Sequence, residues 1–488
     1  MSFVAPPPLR RFMWRSANSM LAALLLAGCQ SYEPAPLDMN AFDASLDTRL
    51  LDTEPVAEFA RRLDEAGDDV PLVFDPADGI SYAEGEVLAL FYNPDLRIAR
   101  LEAGVALAIR EYAGLWEDPV FGFDGAEIIS PSKPFEYGLM GSFTIPISGR
   151  LEVEKDRAGA LYEAQLRRVV DAEWRTRAAL RRHWSTWTAA VERARLLEEM
   201  TGRLQRIEEI AEHMNTSGEL NRVEHRLLRI ELADLEVRTS EQELDVLVAE
   251  AALLEVMGLG PDAARLLQPA FPDIALPDVK DVTTRLIESN TELAVLFADY
   301  QVAEDTLRLE IRKQFPDIVF GSGYGTEFND RRVMFGVSIP IPILNANQSS
   351  IAEARAQREV MRARAETAFA RLDRSLAAAV ETLEVKGSQR EQYEQEVLPL
   401  LSDQDADLDR IAALGELDLF ILMETMTRML DTKQRLIALR AGEIDVTITA
   451  HRILGPGTRQ FPLPTEGGSD PDAPSPEHAG EAGVGGTK

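Results

Sequence analysis

The chain repeats itself at a fixed offset. Asn93 returns as Asn290, Pro119 as Pro316, the turn Gly218-Glu219-Leu220 as Gly415-Glu416-Leu417 and Gly258 as Gly455, each pair 197 residues apart. A tandem unit of that length carries a helix, a pair of strands and a pair of very long helices. It points away from a catalytic pocket and toward a symmetric architectural object.

The hydrophobic period changes twice within each unit. The first unit opens on a helix over residues 84–115, with apolar positions Leu88, Leu96, Leu101, Val105 and Ile109; its counterpart covers 284–313. Beyond Pro119 and Pro316 the period falls to two: Tyr137, Leu139, Phe143 and Ile145 alternate with small or polar residues, as do Val333, Phe335, Val337 and Ile339. Partner strands over 120–129 and 317–326 are rich in glycine and aromatics, with loops at 130–134 and 327–331. Each strand is about ten residues, the length a tilted strand needs to cross a bilayer. Periodicity alone fits either membrane-crossing strands or two soluble hairpins in a small sheet. If the strands lie in lipid, four cannot close a barrel and open edges are not tolerated there, so several copies must share one.

After the Ile-Pro-Ile segments at 145–147 and 339–341 the period returns to helical, over 151–214 and 347–413, each followed by a second helix, 219–257 and 417–454. A helix of that first length runs about 95 Å at ~1.5 Å per residue, far beyond a globular helix. Leu220, Val223, Leu227 and Ile230, continued by Val237 and Leu244, form a heptad-like seam. Gly218 and Gly415 sit where helix C-caps are needed.

The first thirty residues read as an export leader. Arg10, Arg11 and Arg15 precede a short apolar run from Met20 to Ala27, too brief for the roughly 20 residues of a membrane span. Its Leu26-Ala27-Gly28-Cys29 ending resembles the bacterial lipobox, which implies cleavage before Cys29 and acylation there. Cys29 is the only cysteine, which excludes disulfide use. Gln30 follows it, which by the same resemblance favours delivery to the outer membrane. With 82 acidic against 51 basic residues and a net charge of −31, nucleic-acid binding is disfavoured for want of clustered cations. The chain divides into a leader at 1–28, a tether and packing arm at 29–83, repeats at 84–260 and 284–456 around a linker at 261–283, and a disordered acidic Gly/Pro-rich tail at 457–488.

Taken in order, the duplication, the Asn-Pro-Asp-Leu start at Asn93, Trp116-Glu117-Asp118-Pro119, the Ile-Pro-Ile exits and the Gly-Glu-Leu tips resemble the TolC-like outer-membrane factors, in their lipidated branch. The resemblance implies a mainly α fold with a transmembrane β portion: a homotrimer whose strands form one barrel and whose helical hairpins form a periplasmic tunnel. It further implies an exit duct of tripartite efflux or type I secretion, working with a periplasmic adaptor and an inner-membrane pump. The alternative is a lipid-anchored periplasmic coiled-coil scaffold without a pore.

On that reading the gate falls just before the second tip, among Asp403, Asp405, Asp407 and Asp409. Asp405 and Asp409 are four apart and share a helix face, so a trimer would carry rings of carboxylates that favour cations. The adaptor would dock on Thr216, Ser217, Gly218, Glu219, Leu414, Gly415 and Glu416. Met423, Met426 and Met429 recur at three, as core packing does. The histidines lack ligand spacing, and no phosphate loop or nucleophile elbow is present. The expectation is of no enzyme, no resident metal and no cofactor beyond the lipid on Cys29.

Overall fold

The computed structural model describes residues 32–50, 53–65, 74, 79–127, 129, 135–276, 281–327, 330–413 and 418–456. The leader with Cys29, the second tip with Leu414, Gly415 and Glu416, and the tail lie outside the described residues. Residues 32–45 belong to a compact unit separate from the rest. There Asp38 accepts from the backbone of Asn40 and Ala41 and starts helix α1 (Met39–Thr48).

In the main unit, α2 (Glu54–Glu65) buries Val56, Ala60 and Leu63 in the cluster around Trp184. The single opening helix expected in each repeat is instead two. In the first, α3 (Tyr82–Tyr92) starts at a Ser81–Glu84 capping box and stops at Asn93, which then caps α4 (Pro94–Glu111) with proline at its first position. In the second, Asn290 divides α7 (Val282–Ser289) from α8 (Thr291–Lys313) in the same way.

The break serves a clasp. The Asn93 side-chain oxygen accepts from Leu96 N at 3.0 Å, and its amide donates to Val256 O at 2.8 Å. Asn290 does the same with Leu293 N at 2.8 Å and Ile453 O at 2.7 Å. Those carbonyls end the last helix of each repeat, α6 (Arg222–Met257) and α11 (Leu419–Leu454), whose terminal oxygens have no partner within the helix. Gly258 (φ +65°) and Gly455 (φ +72°) follow, and a Cβ on either would collide with Tyr92 O or Ser289 O. Arginines complete both clasps. Arg285 donates to Leu454 O and Gly455 O, and in the first repeat Arg49, from before α2, reaches Gly258 O.

Strands β1 (Val120–Ala126), β2 (Glu136–Ile145), β3 (Ile318–Glu327) and β4 (Asp330–Ser338) form one antiparallel sheet in chain order. The loop expected at 327–331 is therefore shorter, because both flanking strands extend into it. Among the described residues no helix covers either face; Phe121, Phe123, Val333, Phe335 and Val337 on one face and Val120, Met140 and Met334 on the other are all exposed.

The long helices are α5 (Arg150–Ser217), of 68 residues, α6, α9 (Gln348–Gln392), α10 (Leu398–Ala413) and α11. The expected unbroken helix 347–413 is interrupted by a π turn at Tyr393–Val397, because Pro399 has no N–H for the ladder. Two clusters lie at the clasps, around Trp184, Leu253 and Met257 and around Leu286, Leu372 and Ile453. A third, toward the tips, joins Leu204, Leu228 and Leu235 to Leu408, Leu422 and Met426. Met426 and Met429 are buried, with Met423 packed alongside, as core packing requires.

Of the heptad-like seam, Leu220 packs on the cluster toward the tips and the rest is uncovered within the chain. Helix α6 buries Leu228 and Leu235 toward the tip and Leu253, Leu254 and Met257 at the clasp, while Val223, Leu227, Ile230, Val237 and Leu244 face outward. The same holds on α4, where Ile98, Leu101, Val105 and Ile109 are exposed; their counterpart α8 buries Leu307 and Leu309 between α5 and α9.

Beside the first clasp, Glu86 is buried with Arg177 at 2.7 Å, Arg181 at 3.1 Å and the Tyr82 hydroxyl donating at 2.8 Å. Burial alone would raise its carboxyl, but the two guanidinium groups outweigh it and hold it below the ordinary value of 4.5. A depressed folded value means the contribution is complete above 4.5 and disappears as pH falls through the lower folded value. Glu86→Gln removes the carboxylate that faces the buried Arg177 and the half-buried Arg181 and should cost about 3–5 kcal/mol. The melting temperature of the variant should accordingly fall well below wild type at neutral pH, with the gap narrowing in acid. Asn290→Ala should cost about 1–3 kcal/mol by orphaning Ile453 O and Leu293 N, readable as a lower midpoint in thermal circular dichroism.

Candidate functional site

Two regions of the described residues are built for something other than holding this chain together. The first is the hairpin ends. Helix α5 stops at Gly218 (φ +85°), and Thr216 and Ser217 turn their hydroxyls back onto His213 O and Met214 O. Asn215 donates to Leu220 O, and Asn221 caps α6 by accepting from Val223 and Glu224. The side chains of Asn215, Thr216, Ser217 and Asn221 are thus bonded within the turn, with Glu219 beside them. Glu208, part of the acidic run before this tip, pairs with His225 at 3.1 Å. Of the second tip, Asp418 is described and caps α11 through Phe420 N and Ile421 N. Phe420 and Ile421 lie exposed beside it, apolar tip residues that the motif reading missed.

Just before the second tip the four aspartates separate. Helix α10 buries Leu401 and Leu408, and Asp405, at i+4 from Leu401, falls toward that side and meets α5. There Arg203 donates to both Asp405 oxygens at 2.8 Å and reaches Asp409 at 3.4 Å. The hydrogen bond to Asp405 raises the Arg203 guanidinium above its ordinary value, so the arginine stays charged. Asp405 and Asp409 do share a face, as their spacing predicts. They are not a bare carboxylate pair, since one cation is forked between them. Asp403 and Asp407 are exposed on another side, Asp407 pairing with Arg410 at 2.9 Å. Arg203 was invisible to sequence reasoning because it lies 202 residues from Asp405 and no motif links them.

The second region is the set of unpartnered surfaces: the apolar stripes of α4 and α6, both faces of the sheet, and the free edges of β1 and β4. No group of three or more His, Cys, Asp or Glu side chains suited to a metal occurs among the described residues. No described helix is long and apolar enough to cross a membrane.

No family model matches the chain. Over 190 residues it is 24% identical to the cobalt-zinc-cadmium resistance protein CzcC of Cupriavidus metallidurans, a match covering 38% of this chain and 44% of that protein. The chain thus matches less than half of its curated relative's length. Among solved structures it is similar to CusC, described with its transmembrane channel formation, with TM-score 0.65 and 17% identity over 80% of this chain and 98% of that one. It is also similar to the outer membrane protein VceC of Vibrio cholerae, with TM-score 0.66 and 13% identity over 78% and 97% of the chains. For the CmeC outer membrane channel of Campylobacter jejuni the TM-score is 0.67 and the identity 12%, over 80% and 89%. These neighbours are outer-membrane channel proteins, not enzymes.

If Arg203 and Asp405 form the main tie between α5 and α10, Arg203→Ala should make this end of the hairpin pair more accessible without unfolding it. Hydrogen exchange should rise in residues 400–413 and 196–217 and stay unchanged at the clasps; uniform exchange throughout would reject the tie.

Proposed function

The fold of this chain is that of the TolC-like outer-membrane factors, and we propose that it serves as their shape suggests: three copies close into an outer-membrane exit duct. The observation that carries this is internal. Helix α8 is covered on both sides because it lies between α5 and α9 of its own chain. Its repeat equivalent α4 has α5 on one side and an exposed apolar stripe on the other. The duplication supplies the missing neighbour as α9 of a second copy, and the same operation brings the free edge of β4 to β1 of that copy. Closure satisfies every open ladder, as lipid demands. Three copies of a four-stranded sheet give an even-numbered barrel within the roughly 8 to 26 strands of membrane barrels.

The register supports a membrane-facing sheet. Phe123, Leu139, Tyr324 and Val333 pair across it on one face; Asp124, Gly138, Gly325 and Arg332 pair on the other. The aromatic face suits lipid and the small, polar face a water-filled lumen.

In this reading solute enters at the hairpin tips and leaves through the barrel, with no chemistry on the way. The Arg203–Asp405–Asp409 group is the gate, a set of ion pairs in place of bare acidic rings. Thr216, Ser217, Gly218 and Glu219, with the second tip, receive a periplasmic adaptor that couples the duct to an inner-membrane pump. Cys29 carries the lipid. The cargo is the pump's choice.

Purified in detergent, the protein should have the mass of three chains and conduct in a planar bilayer; a non-conducting monomer or dimer would establish the scaffold alternative instead. Leu101→Glu with Val105→Glu should leave helix content intact but abolish the trimer. At the gate the two halves should act oppositely on selectivity: Arg203→Ala should raise conductance and cation preference, whereas Asp405→Ala with Asp409→Ala should raise conductance and lower that preference. Unchanged currents in both would sink the gate assignment.

A further inference from the structure

One row of the sheet combines chemistry that the rest of its face lacks. Gly122, Met140, Gly323 and Met334 pair in register across β1 to β4. By alternation they lie on the polar face, flanked by the row of Val120, Ser142, Gly321 and Gly336 and by that of Asp124, Gly138, Gly325 and Arg332. The two methionines stand two strands apart, about 9.6 Å between backbones at ~4.8 Å per strand. Both lean over the glycine between them: Met334 Cε and Met140 Cγ lie 3.3 Å and 3.5 Å from where a Gly323 Cβ would be. Both remain 44–48% exposed, unlike Met426 and Met429, which fill the helical core. On the small and polar face of the sheet the two side chains offer more than apolar bulk, since thioethers are soft donors that bind cations with no proton to displace. Toward the far end of the sheet the same face carries, among the described residues, Asp124, Glu327 and Asp330 with Arg332, carboxylates of the kind that favour cations in a pore.

We propose that Met140 and Met334 form a two-thioether site for a soft monovalent cation of the Cu(I) or Ag(I) class, one per chain, on the inward face of the barrel. Its lumenal position rests on the duct reading; the binding chemistry does not. The first measurement is silver(I) uptake by the detergent-purified full-length protein in nitrate buffer. Met140→Leu with Met334→Leu, which keeps apolar bulk and shape, should lower the bound silver by one ion per chain. Equal uptake by both proteins would overturn the site. The second is single-channel current with silver(I) added. Even outer-shell changes shift metal affinity by about 10- to 100-fold, so loss of both sulfurs should raise the half-blocking silver concentration by about 100-fold. Wild-type block should persist from about pH 8 down to about pH 5, since imidazole but not thioether protonates in that range. Block that vanishes in acid, or survives undiminished in the leucine variant, would overturn the proposal by assigning it to histidine or to apolar occlusion. Normal uptake loss with no current in any protein would uphold the thioether pair and reject the duct.

Discussion

Asn93 and Asn290 each spend both ends of one amide on a different helix. The oxygen starts the helix that leads toward the sheet, and the nitrogen closes the end of the helix that returns from the tip. No other side chain of that length both accepts and donates in this way: aspartate has no donor and serine lacks the reach. Because the carbonyls involved are the terminal oxygens of α6 and α11, the clasp fixes where a helix of 36 residues ends relative to where the next one begins. Gly258 and Gly455 allow the contact, since a side chain there would strike the backbone of the opposing turn. Long hairpins amplify any error at their base, so the registration of the tips depends on these two residues.

The clasps settle one end of each repeat and leave its flanks open. Within the chain, the second repeat finds the first and is covered; the first finds nothing and exposes Ile98, Leu101, Val105 and Ile109. The sheet repeats this asymmetry, with β2 and β3 paired across the repeats and β1 and β4 unpaired at the edges. The aromatic face of the sheet, exposed on Phe121, Phe123, Val333 and Phe335, calls for a covering layer that the described residues of one chain do not supply. In the proposed ring, the same interface geometry used once inside the chain and again between chains would satisfy these open surfaces together, which is the economy of a duplicated unit.

How much of this was legible depended on whether a residue type is forced by its own position. Asn93, Asn290, Gly258 and Gly455 could be found at one offset because capping and positive φ each demand a particular side chain. The strands were legible because alternation is local. The outward seam on α6 was found without its partner: spacing shows that Leu227 and Ile230 form a stripe but not whether the chain itself covers it. Leu228 and Leu235 sit one residue over and take the internal contact. The clasp arginines were not legible, since Arg285 has no arginine at its offset position and Arg49 reaches the equivalent carbonyl from outside the repeat. Arg203 was hidden for the same reason: a pairing between two helices far apart in sequence leaves no pattern along either.

The strength of the chain falls from base to tip. Near the clasps, the Asn93 and Asn290 caps and the Asn290 bond to Ile453 O are buried, Glu86 is compensated by two arginines, and Trp184 is wholly enclosed. Toward the tips, the tie between α5 and α10 is an ion pair whose partners are partly exposed, where solvent and salt weaken it. Just behind it the backbone itself is loosened: Leu398 N–H reaches back five residues to Tyr393 O, and Pro399 offers no N–H at all. A helix with its weakest backbone segment next to its most screenable side-chain contact yields there before it yields at the base. Any widening of the bundle at its tips would therefore act first on α10, swinging from the π turn as Arg203 releases Asp405, while the clasps hold the far end in register.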